Sequence, residues 1–403
     1  MQIINGTVFT NGTNFENVTV TIEGERISAL QPKSDTKLPE VKMSVATDNC
    51  PRSDIYDAEG LYVVPGFTDI HFHGCFGYDF SDHDLDQLRI MGNYELQNGI
   101  TQICPAAMTY PEERLSRIIR CATAYQTDPN TEVSNSCGNN GTMQGADLVG
   151  VNLEGPFISM EKKGAQNPEY IVPSDVSMFY RLNALAPGLL KLITVAPETE
   201  GALDFIEKVK DDITVSLGHT QANYAIAKDA FFKGARHVTH LFNAMPPFSH
   251  RDPGVIGAAF DAPDSHVELI CDGIHISDSM IRATFQLFTE DRVVLISDSM
   301  MAAGLDDGAY ALGGQPVTVK GNLATLSDGT IAGSVTNLMN CFRHAVSIGI
   351  PLTSALKAAT INPARSIGID KDYGTIAQKK IANLLILDRD LTVKDIIFHG
   401  RLL

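Results

Sequence analysis

Pro65-Gly66-Phe67-Thr68-Asp69-Ile70-His71-Phe72-His73-Gly74 joins an apolar, strand-like pattern to two histidines. Successive side chains of a strand point to opposite faces, so His71 and His73 share one face if Tyr62 to His73 runs as a strand into a loop. Neutral imidazole is the commonest metal ligand. The pair therefore indicates a metal site at the inner end of a buried strand. A chance His-x-His pair is the alternative, and the rest of the chain has to decide between them.

Strand-like and helix-like segments alternate between about Ala58 and Ile369. Eight strands are predicted, at 62–69, 100–104, 148–153, 191–195, 213–217, 236–241, 266–271 and 293–297. This alternation predicts an α/β fold, a (β/α)8 TIM barrel, over a span somewhat above the ~250 residues typical of that barrel. A doubly wound open sheet is the alternative, because alternation alone does not show whether the sheet closes.

Helical patterns separate these strands, and two other segments interrupt the alternation. The helices are predicted at Leu85–Asn98, Pro111–Tyr125, Ser174–Leu185, Ala222–Lys233 and Ser279–Phe288. Residues 127–147 are rich in Asn, Ser, Thr and Gly, which is typical of a surface insertion. Residues 309–333 follow the eighth strand and are predicted to form a hairpin flap.

The two ends of the chain contain short alternating strands. Neither piece is large enough to form a good core alone, so residues 1–57 and 370–403 are expected to pair with each other as one small domain. The barrel is then expected to occupy residues 58–369.

Net charge, the N-terminal sequence and the cysteine pattern indicate which partners and which compartment to expect. The formal net charge of −17 disfavours nucleic acid or an anionic membrane as the main partner. The N-terminus has no basic segment followed by an apolar core, and no apolar run reaches membrane-spanning length, so we expect a cytoplasmic protein. Seven scattered cysteines without Cys-x-x-Cys spacing indicate reduced thiols.

Further polar residues stand where the predicted strands end. Active sites of TIM barrels lie at the C-terminal ends of the strands. Glu154, His219, His240 and Asp298 stand at the ends of the third, fifth, sixth and eighth strands. Singly, each has a structural explanation: a cap or salt bridge for the carboxylates, a buried hydrogen-bonded ring for the histidines. Together with the His-x-His pair, they predict a metal centre.

The predicted ligands also indicate a type of chemistry. Histidines and carboxylates without cysteine suit hydrolytic Zn²⁺, Fe²⁺, Mn²⁺ or Co²⁺. Such an ion polarises a carbonyl and lowers the pKa of water, as amide hydrolysis requires. Asp298 is the best candidate to take the proton from water and pass it to the leaving nitrogen.

Seven motifs occur in an order that resembles a known family, the N-acetylglucosamine-6-phosphate deacetylases of the amidohydrolase superfamily. The motifs are His71-Phe-His73, Asn152-Leu-Glu-Gly-Pro-Phe157, Lys163-Gly-Ala165, Leu217-Gly-His-Thr220, Thr239-His-Leu-Phe-Asn-Ala-Met245, Asp272-Gly-Ile-His275 and Ser297-Asp-Ser299. The resemblance covers essentially the whole chain. It implies a TIM barrel with a β-sandwich built from both termini, a homodimer, and hydrolysis of the N-acetyl group of N-acetylglucosamine 6-phosphate to glucosamine 6-phosphate and acetate.

The resemblance also assigns roles by position. Glu154, His219 and His240 would hold the main metal, while His71 and His73, sharing Glu154, would hold a second one. Asp298 would be the catalytic acid and base. The sugar phosphate would contact the residues Ala165, Asn243, Ala244, Arg251 and His275, with Arg251 reaching across the dimer interface.

Two matters stay open at this point. Gln166 stands where the family pattern suggests His, which puts a sugar contact there in doubt. The alternatives to this substrate are a different amidohydrolase, acting on a cyclic amide or an N-acyl amino acid, and a non-catalytic scaffold on the same fold.

Overall fold

The computed structural model describes residues 1–32, 55–127 and 145–403. The chain divides into two compact units, one formed by Met1–Gly66 with Asp370–Leu403 and the other by Phe67–Ile369. The surface insertion predicted at 127–147 falls outside the described residues except at its two ends.

The first unit contains two sheets. The four-stranded sheet has the order Arg26–Pro32, Val18–Glu23, Gln2–Ile4, Ile55–Asp57. The six-stranded sheet has the order Arg401–Leu402, Val393–Phe398, Leu384–Leu387, Tyr62–Pro65, Thr7–Thr10, Asn14–Glu16, so strands from both ends of the chain lie side by side. Apolar residues of both sheets, among them Ile3 and Ile386, form one buried cluster.

The predicted strand 62–69 is wrong as a single barrel strand. Tyr62–Pro65 pairs antiparallel with Leu384–Leu387 in the first unit, and the Gly66 N–H donates to the Asn383 carbonyl at 2.8 Å. Phe67–Asp69 pairs instead with Ile100–Ile103. An uninterrupted apolar run gives no sign of this change of sheet, because residues on both sides of Gly66 are buried.

The second unit is a TIM-like barrel of parallel strands. Its second and third strands are each interrupted, and the sixth is short. In pairing order the strands are Phe67–Asp69, Ile100–Ile103 with Ala106–Ala107, Asp147–Leu148 with Val151–Leu153, Leu190–Val195, Thr214–Leu217, His237–Val238, His266–Ile270 and Val293–Ile296. The seven other predicted strands are thus confirmed, with shifted ends.

The first and eighth strands meet just beyond their ends. The Asp298 N–H donates to the His71 carbonyl at 2.9 Å, and the His73 N–H donates to the Ser299 carbonyl at 2.7 Å. Inside, buried apolar side chains from several strands pack in one cluster that includes Ile70, Leu192 and Ile296. A packed interior leaves the strand ends as the place for a site.

Three helices of the second unit begin directly after a capping side chain. Asp84, Asp175 and Asn223 each accept hydrogen bonds from N–H groups of the first turn that follows. The α-helices are Leu85–Gln97, Glu112–Thr127, Val176–Asn183, Ala202–Val209, Tyr224–Lys233, Gly254–Phe260, Asp278–Phe288, Leu338–Ser347, Leu352–Ala359 and Ile361–Ser366, and the 3-10 helices are Phe80–Asp82, Met160–Lys162 and Pro168–Tyr170. All five predicted helices are confirmed within about two residues at each end.

Two smaller sheets complete the second unit. Gly74–Cys75 pairs with Tyr78–Asp79, and the predicted flap is a three-stranded antiparallel sheet of Gly308–Leu312, Gln315–Lys320 and Leu323–Thr325. The five cysteines within the described residues are all free. Across residues 1–32, 55–127 and 145–403, no helix combines the length and apolar character needed to cross a membrane.

Candidate metal centre and substrate cavity

Six buried side chains converge at the C-terminal rim of the barrel. They form two groups, His71 with His73 and Asp298, and Glu154 with His219 and His240. Three of the six have left-handed backbones, with φ of 47° at His219, 27° at His240 and 48° at Asp298. Positive φ is uncommon outside glycine and clusters at functional sites, where the surrounding structure holds the strained conformation. Each strand thus turns sharply as it delivers its side chain.

Glu154 lies at the centre of both groups. Its Oε1 is 3.1 Å from Nε2 of His219 and 3.1 Å from Nε2 of His240. Its Oε2 is 3.3 Å from Nε2 of His73, and His71 Nε2 is 3.3 Å from Oε1. Asp298 Oδ1 lies 3.3 Å from His73 Nε2. A single carboxylate therefore stands between two sets of imidazoles.

In three of the four histidines, the ring nitrogen that faces away from Glu154 makes a hydrogen bond that orients the ring. Nδ1 of His71 is 2.8 Å from Glu268 Oε2, Nδ1 of His73 is 3.1 Å from the Ala106 carbonyl, and Nδ1 of His219 is 2.8 Å from the Lys162 carbonyl. Because these partners accept hydrogen bonds, they favour a proton on Nδ1 and leave the lone pair of Nε2 facing inward. This is the arrangement that metal-binding histidines need.

Glu268 was not predicted from the sequence. It is fully buried on the strand His266–Ile270, and its Oε2 also accepts the His240 N–H at 3.0 Å. The one signal in the sequence is that this carboxylate lies among the apolar residues at the end of a strand. This carboxylate contacts one residue of each group.

Electrostatics at the centre favour bound positive charge. Burial opposes ionisation of Glu154 and Asp298, but the neighbouring histidines hold the pKa of both carboxyls below their usual values. Burial opposes protonation of His73, yet Glu154 and Asp298 raise its pKa to about 10. The pKa of His71 is also raised, by Glu268 and Glu154 against burial. A divalent cation would replace these protons, because ligand histidines bind as neutral rings.

The donor set fits a catalytic divalent metal. It consists of imidazole nitrogens and carboxylate oxygens, which suit Zn²⁺ and similar ions, and contains no thiolate. Ligand atoms of each group lie within 4.8 Å of one another. The rim therefore has residues for one ion or two.

A cavity of about 520 Å³ opens onto the metal centre. His73, Glu154, His219, His240 and Asp298 form its floor. Its walls include four of the five predicted sugar-phosphate contacts, namely Ala165, Asn243, Ala244 and His275. The end of the flap also contributes, through the residues Leu312, Thr330, Ile331 and Gly333. The volume lies in the range of small-molecule sites.

His275 is held by one carboxylate. Its Nδ1 is 2.7 Å from Asp272 Oδ2, and its N–H donates to Asp272 Oδ1 at 2.9 Å. Burial lowers the pKa of His275, but the hydrogen bond and charge of Asp272 outweigh it, so the pKa is raised. A ring with this bias suits an anionic group of a ligand.

Arg251 is the predicted contact that the structure does not bring into the cavity. It lies on an exposed segment and is absent from the lining of the cavity in its own chain. Its expected contribution to a neighbouring subunit stays a prediction. The lining does contain two cations, Lys162 and Lys163, to which the sequence assigned no role.

Gln166 is buried beside the metal centre. Only 2% of its surface is exposed, and its Nε2 donates to Glu154 Oε2 at 2.5 Å. The sequence left open whether this residue contacts the sugar. In the structure its amide makes hydrogen bonds with protein atoms.

Comparison with known proteins gives a consistent result. A model described as "Amidohydrolase family" matches residues 62–403. N-acetylglucosamine-6-phosphate deacetylase of Bacillus subtilis (strain 168) is 37% identical over 342 residues, covering 84% of this chain and 84% of that protein. The Haemophilus influenzae protein of the same name is 30% identical over 406 residues, covering 99% of this chain and 98% of that protein.

Solved structures resemble the whole chain. N-acetylglucosamine-6-phosphate deacetylase from Pasteurella multocida has a TM-score of 0.86 at 30% identity and covers 100% of this chain and 99% of its own. A mutant of the Mycobacterium smegmatis deacetylase in complex with N-acetyl-D-glucosamine 6-phosphate has a TM-score of 0.87 at 29% identity, covering 100% of this chain and 98% of its own. The chain therefore belongs to the amidohydrolase family, as a relative of its N-acetylglucosamine-6-phosphate deacetylases.

Proposed function

We propose that this protein hydrolyses the N-acetyl group of N-acetylglucosamine 6-phosphate, giving glucosamine 6-phosphate and acetate in amino-sugar catabolism and recycling. The observation that carries the proposal is the position of Asp298, which belongs to the group of His71 and His73 and lines the same cavity as the other group. The deacetylase relatives, one of them in complex with this sugar phosphate, support the choice of substrate.

Glu154, His219 and His240 would hold a divalent ion, and His71 and His73 with Glu154 would hold a second one. Zn²⁺, Fe²⁺, Mn²⁺ and Co²⁺ all suit these ligands. When bound, the ion acts as a Lewis acid on the amide carbonyl and makes water a better nucleophile near neutral pH.

Asp298 moves the proton. Its pKa is lowered, so the carboxylate is ionised and ready to accept a proton from the attacking water. It then donates that proton to the leaving nitrogen of the sugar. The hydrogen bonds of its backbone to His71 and Ser334 hold the side chain in place.

The sugar phosphate occupies the rest of the cavity. The side chain of Asn243, the N–H of Ala244 and the ring of His275 bind it, and Ala165 lines the sugar end. Arg251 of a second subunit completes the phosphate site in a homodimer, which agrees with its exposed position. Arg suits this role because its planar fork binds phosphate through two hydrogen bonds.

Two further proposals concern the whole chain. The two sheets of Met1–Gly66 with Asp370–Leu403 form a β-sandwich, an inference supported by their shared apolar cluster. The protein works in the cytoplasm, where free thiols persist and its substrate is metabolised.

Acetate release from N-acetylglucosamine 6-phosphate tests the proposal directly. Asp298→Asn keeps the shape of the side chain but removes the base, so kcat should fall about 10²–10⁴-fold while the ion at Glu154, His219 and His240 stays bound. Asp229→Asn, at an exposed helix position, is the matched control and should retain full activity. Substantial turnover by the Asp298 variant would remove this residue from the proposed role, and absence of acetate release by the unaltered protein would refute the substrate.

A further inference from the structure

Gln166 uses every polar atom of its side-chain amide on protein partners. Oε1 accepts the Thr109 N–H at 2.7 Å, while Nε2 donates to Glu154 Oε2 at 2.5 Å and contacts Met108 Sδ at 3.6 Å. The side chain is almost fully buried. Gln166 also lines the cavity, but an amide whose NH2 group and oxygen are both engaged by protein atoms points to a positional role.

The orientation of this amide follows from chemistry. A backbone N–H can only donate, so the atom facing Thr109 has to be the amide oxygen. The NH2 group is then the atom facing Glu154, and an ionised carboxylate is the partner it requires. The side chain is also tethered through its backbone, since the Gln166 N–H donates to the Lys163 carbonyl at 2.9 Å.

The effect of this bond is to direct the two oxygens of Glu154 to different neighbours. Oε1 lies near Nε2 of His219, His240 and His71, while Oε2 is held toward His73 by Gln166. Each carboxylate oxygen has two lone pairs, so Oε2 can accept the amide hydrogen and still offer a pair to an ion. Without the amide, nothing in the described residues other than His73 holds Oε2 on that side.

We propose that Gln166 is a positioning residue that holds Glu154 as a bridging ligand and thereby sets the affinity of the second metal position, at His71 and His73. This inference rests on the proposed function, because it requires the metal centre. It goes further in assigning the affinity of the optional second ion to a residue that contacts the shared carboxylate from the wall of the cavity. The first position should depend less on Gln166, because it uses Oε1 of Glu154 and because His219 has its own anchor at the Lys162 carbonyl.

Binding of Zn²⁺ alone tests the proposal without reference to activity. The full chain is dialysed against a series of buffered free Zn²⁺ concentrations, and ions per chain are counted by elemental analysis. In Gln166→Leu the tighter binding step should stay within about threefold of the unaltered protein, while the weaker step should lose about 10–100-fold in affinity, the usual cost of removing an outer-shell partner. Gln166→Met, unbranched and of similar length, is a second variant that fills the same space.

Gln315→Leu is the matched control. Gln315 donates from Nε2 to the Ala165 carbonyl at 2.5 Å, so it is the same residue type beside the same segment but contacts no candidate ligand. Both binding steps should be unchanged in this variant. Circular dichroism of each variant checks that the fold is kept.

Three results would overturn the inference. The weaker step could be unaltered in folded Gln166→Leu and Gln166→Met, both steps could weaken equally, or the unaltered protein could take up a single ion at every Zn²⁺ concentration. The last result leaves a one-metal form of the proposed function standing. Failure of the proposed function itself is separate, since it appears as absence of any Zn²⁺ uptake or of acetate release.

Discussion

Replacement of Glu268 should disturb both halves of the metal centre at once. Its Oε2 accepts two hydrogen bonds, from Nδ1 of His71 at 2.8 Å and from the His240 N–H at 3.0 Å, and the residue is fully buried. Glu268→Leu leaves both donors buried without an acceptor. Glu268→Gln can keep both bonds through its amide oxygen and loses only the charge.

The magnitudes follow from these contacts. A buried donor left without a partner costs about 1–3 kcal/mol, so Glu268→Leu should lower the free energy of unfolding by about 2–6 kcal/mol. The cost of breaking a buried ion pair by removing one partner, about 3–5 kcal/mol, agrees with this range. Glu268→Gln should lose only about 1–2 kcal/mol, the difference between a charged and a neutral acceptor.

Urea unfolding of chelator-treated protein measures these differences without the contribution of bound metal. Circular dichroism is the suitable signal, because the chain contains no Trp for fluorescence. Glu207→Gln is the control, since it removes only an exposed ion pair with Lys233, a contact of the kind that contributes little to stability. If the free energy of unfolding of Glu268→Leu is within about 1 kcal/mol of that of the unaltered protein, the two hydrogen bonds do not stabilise the site. The same conclusion follows if Glu268→Gln loses as much stability as Glu268→Leu.

Two other predictions concern the separate roles of the histidine pair and of Arg251. His71→Ala combined with His73→Ala should reduce kcat less than His219→Ala, because the pair serves the optional second ion. Steady-state acetate release measures kcat of the two variants. The reverse order would make the pair the principal metal site. Arg251→Ala chains can be mixed with Asp298→Asn chains to test whether Arg251 serves a neighbouring subunit. If it does, each hybrid dimer has one complete site. The activity of the mixture should then exceed the summed activity of the separate variants. Activity that stays at that sum, with hybrid formation verified by mass spectrometry, would place Arg251 outside the partner's site.

Much of the barrel and the candidate centre could be predicted from the chain because the signals are local. Alternating strand and helix patterns predict a TIM-like barrel, and the strand ends of such a barrel converge on one rim whatever the intervening sequence. Glu154, His219, His240 and Asp298 could therefore be grouped with the His-x-His pair although His71 and Asp298 are more than 200 residues apart. Helix starts were similarly accessible, since an Asp or Asn cap acts within one turn.

The remaining features depend on contacts between distant segments. The continuous apolar run across Gly66 does not reveal that Tyr62–Pro65 and Phe67–Asp69 join different sheets, because either sheet buries such residues. The contacts of Gln166 with Glu154 and of Glu268 with His71 depend on side-chain positions that pattern and spacing do not encode. The sequence by itself thus determined which residues reach the rim, through strand period and barrel geometry. Only the tertiary structure decided how those residues are oriented, because orientation comes from hydrogen bonds between parts of the chain that meet after folding.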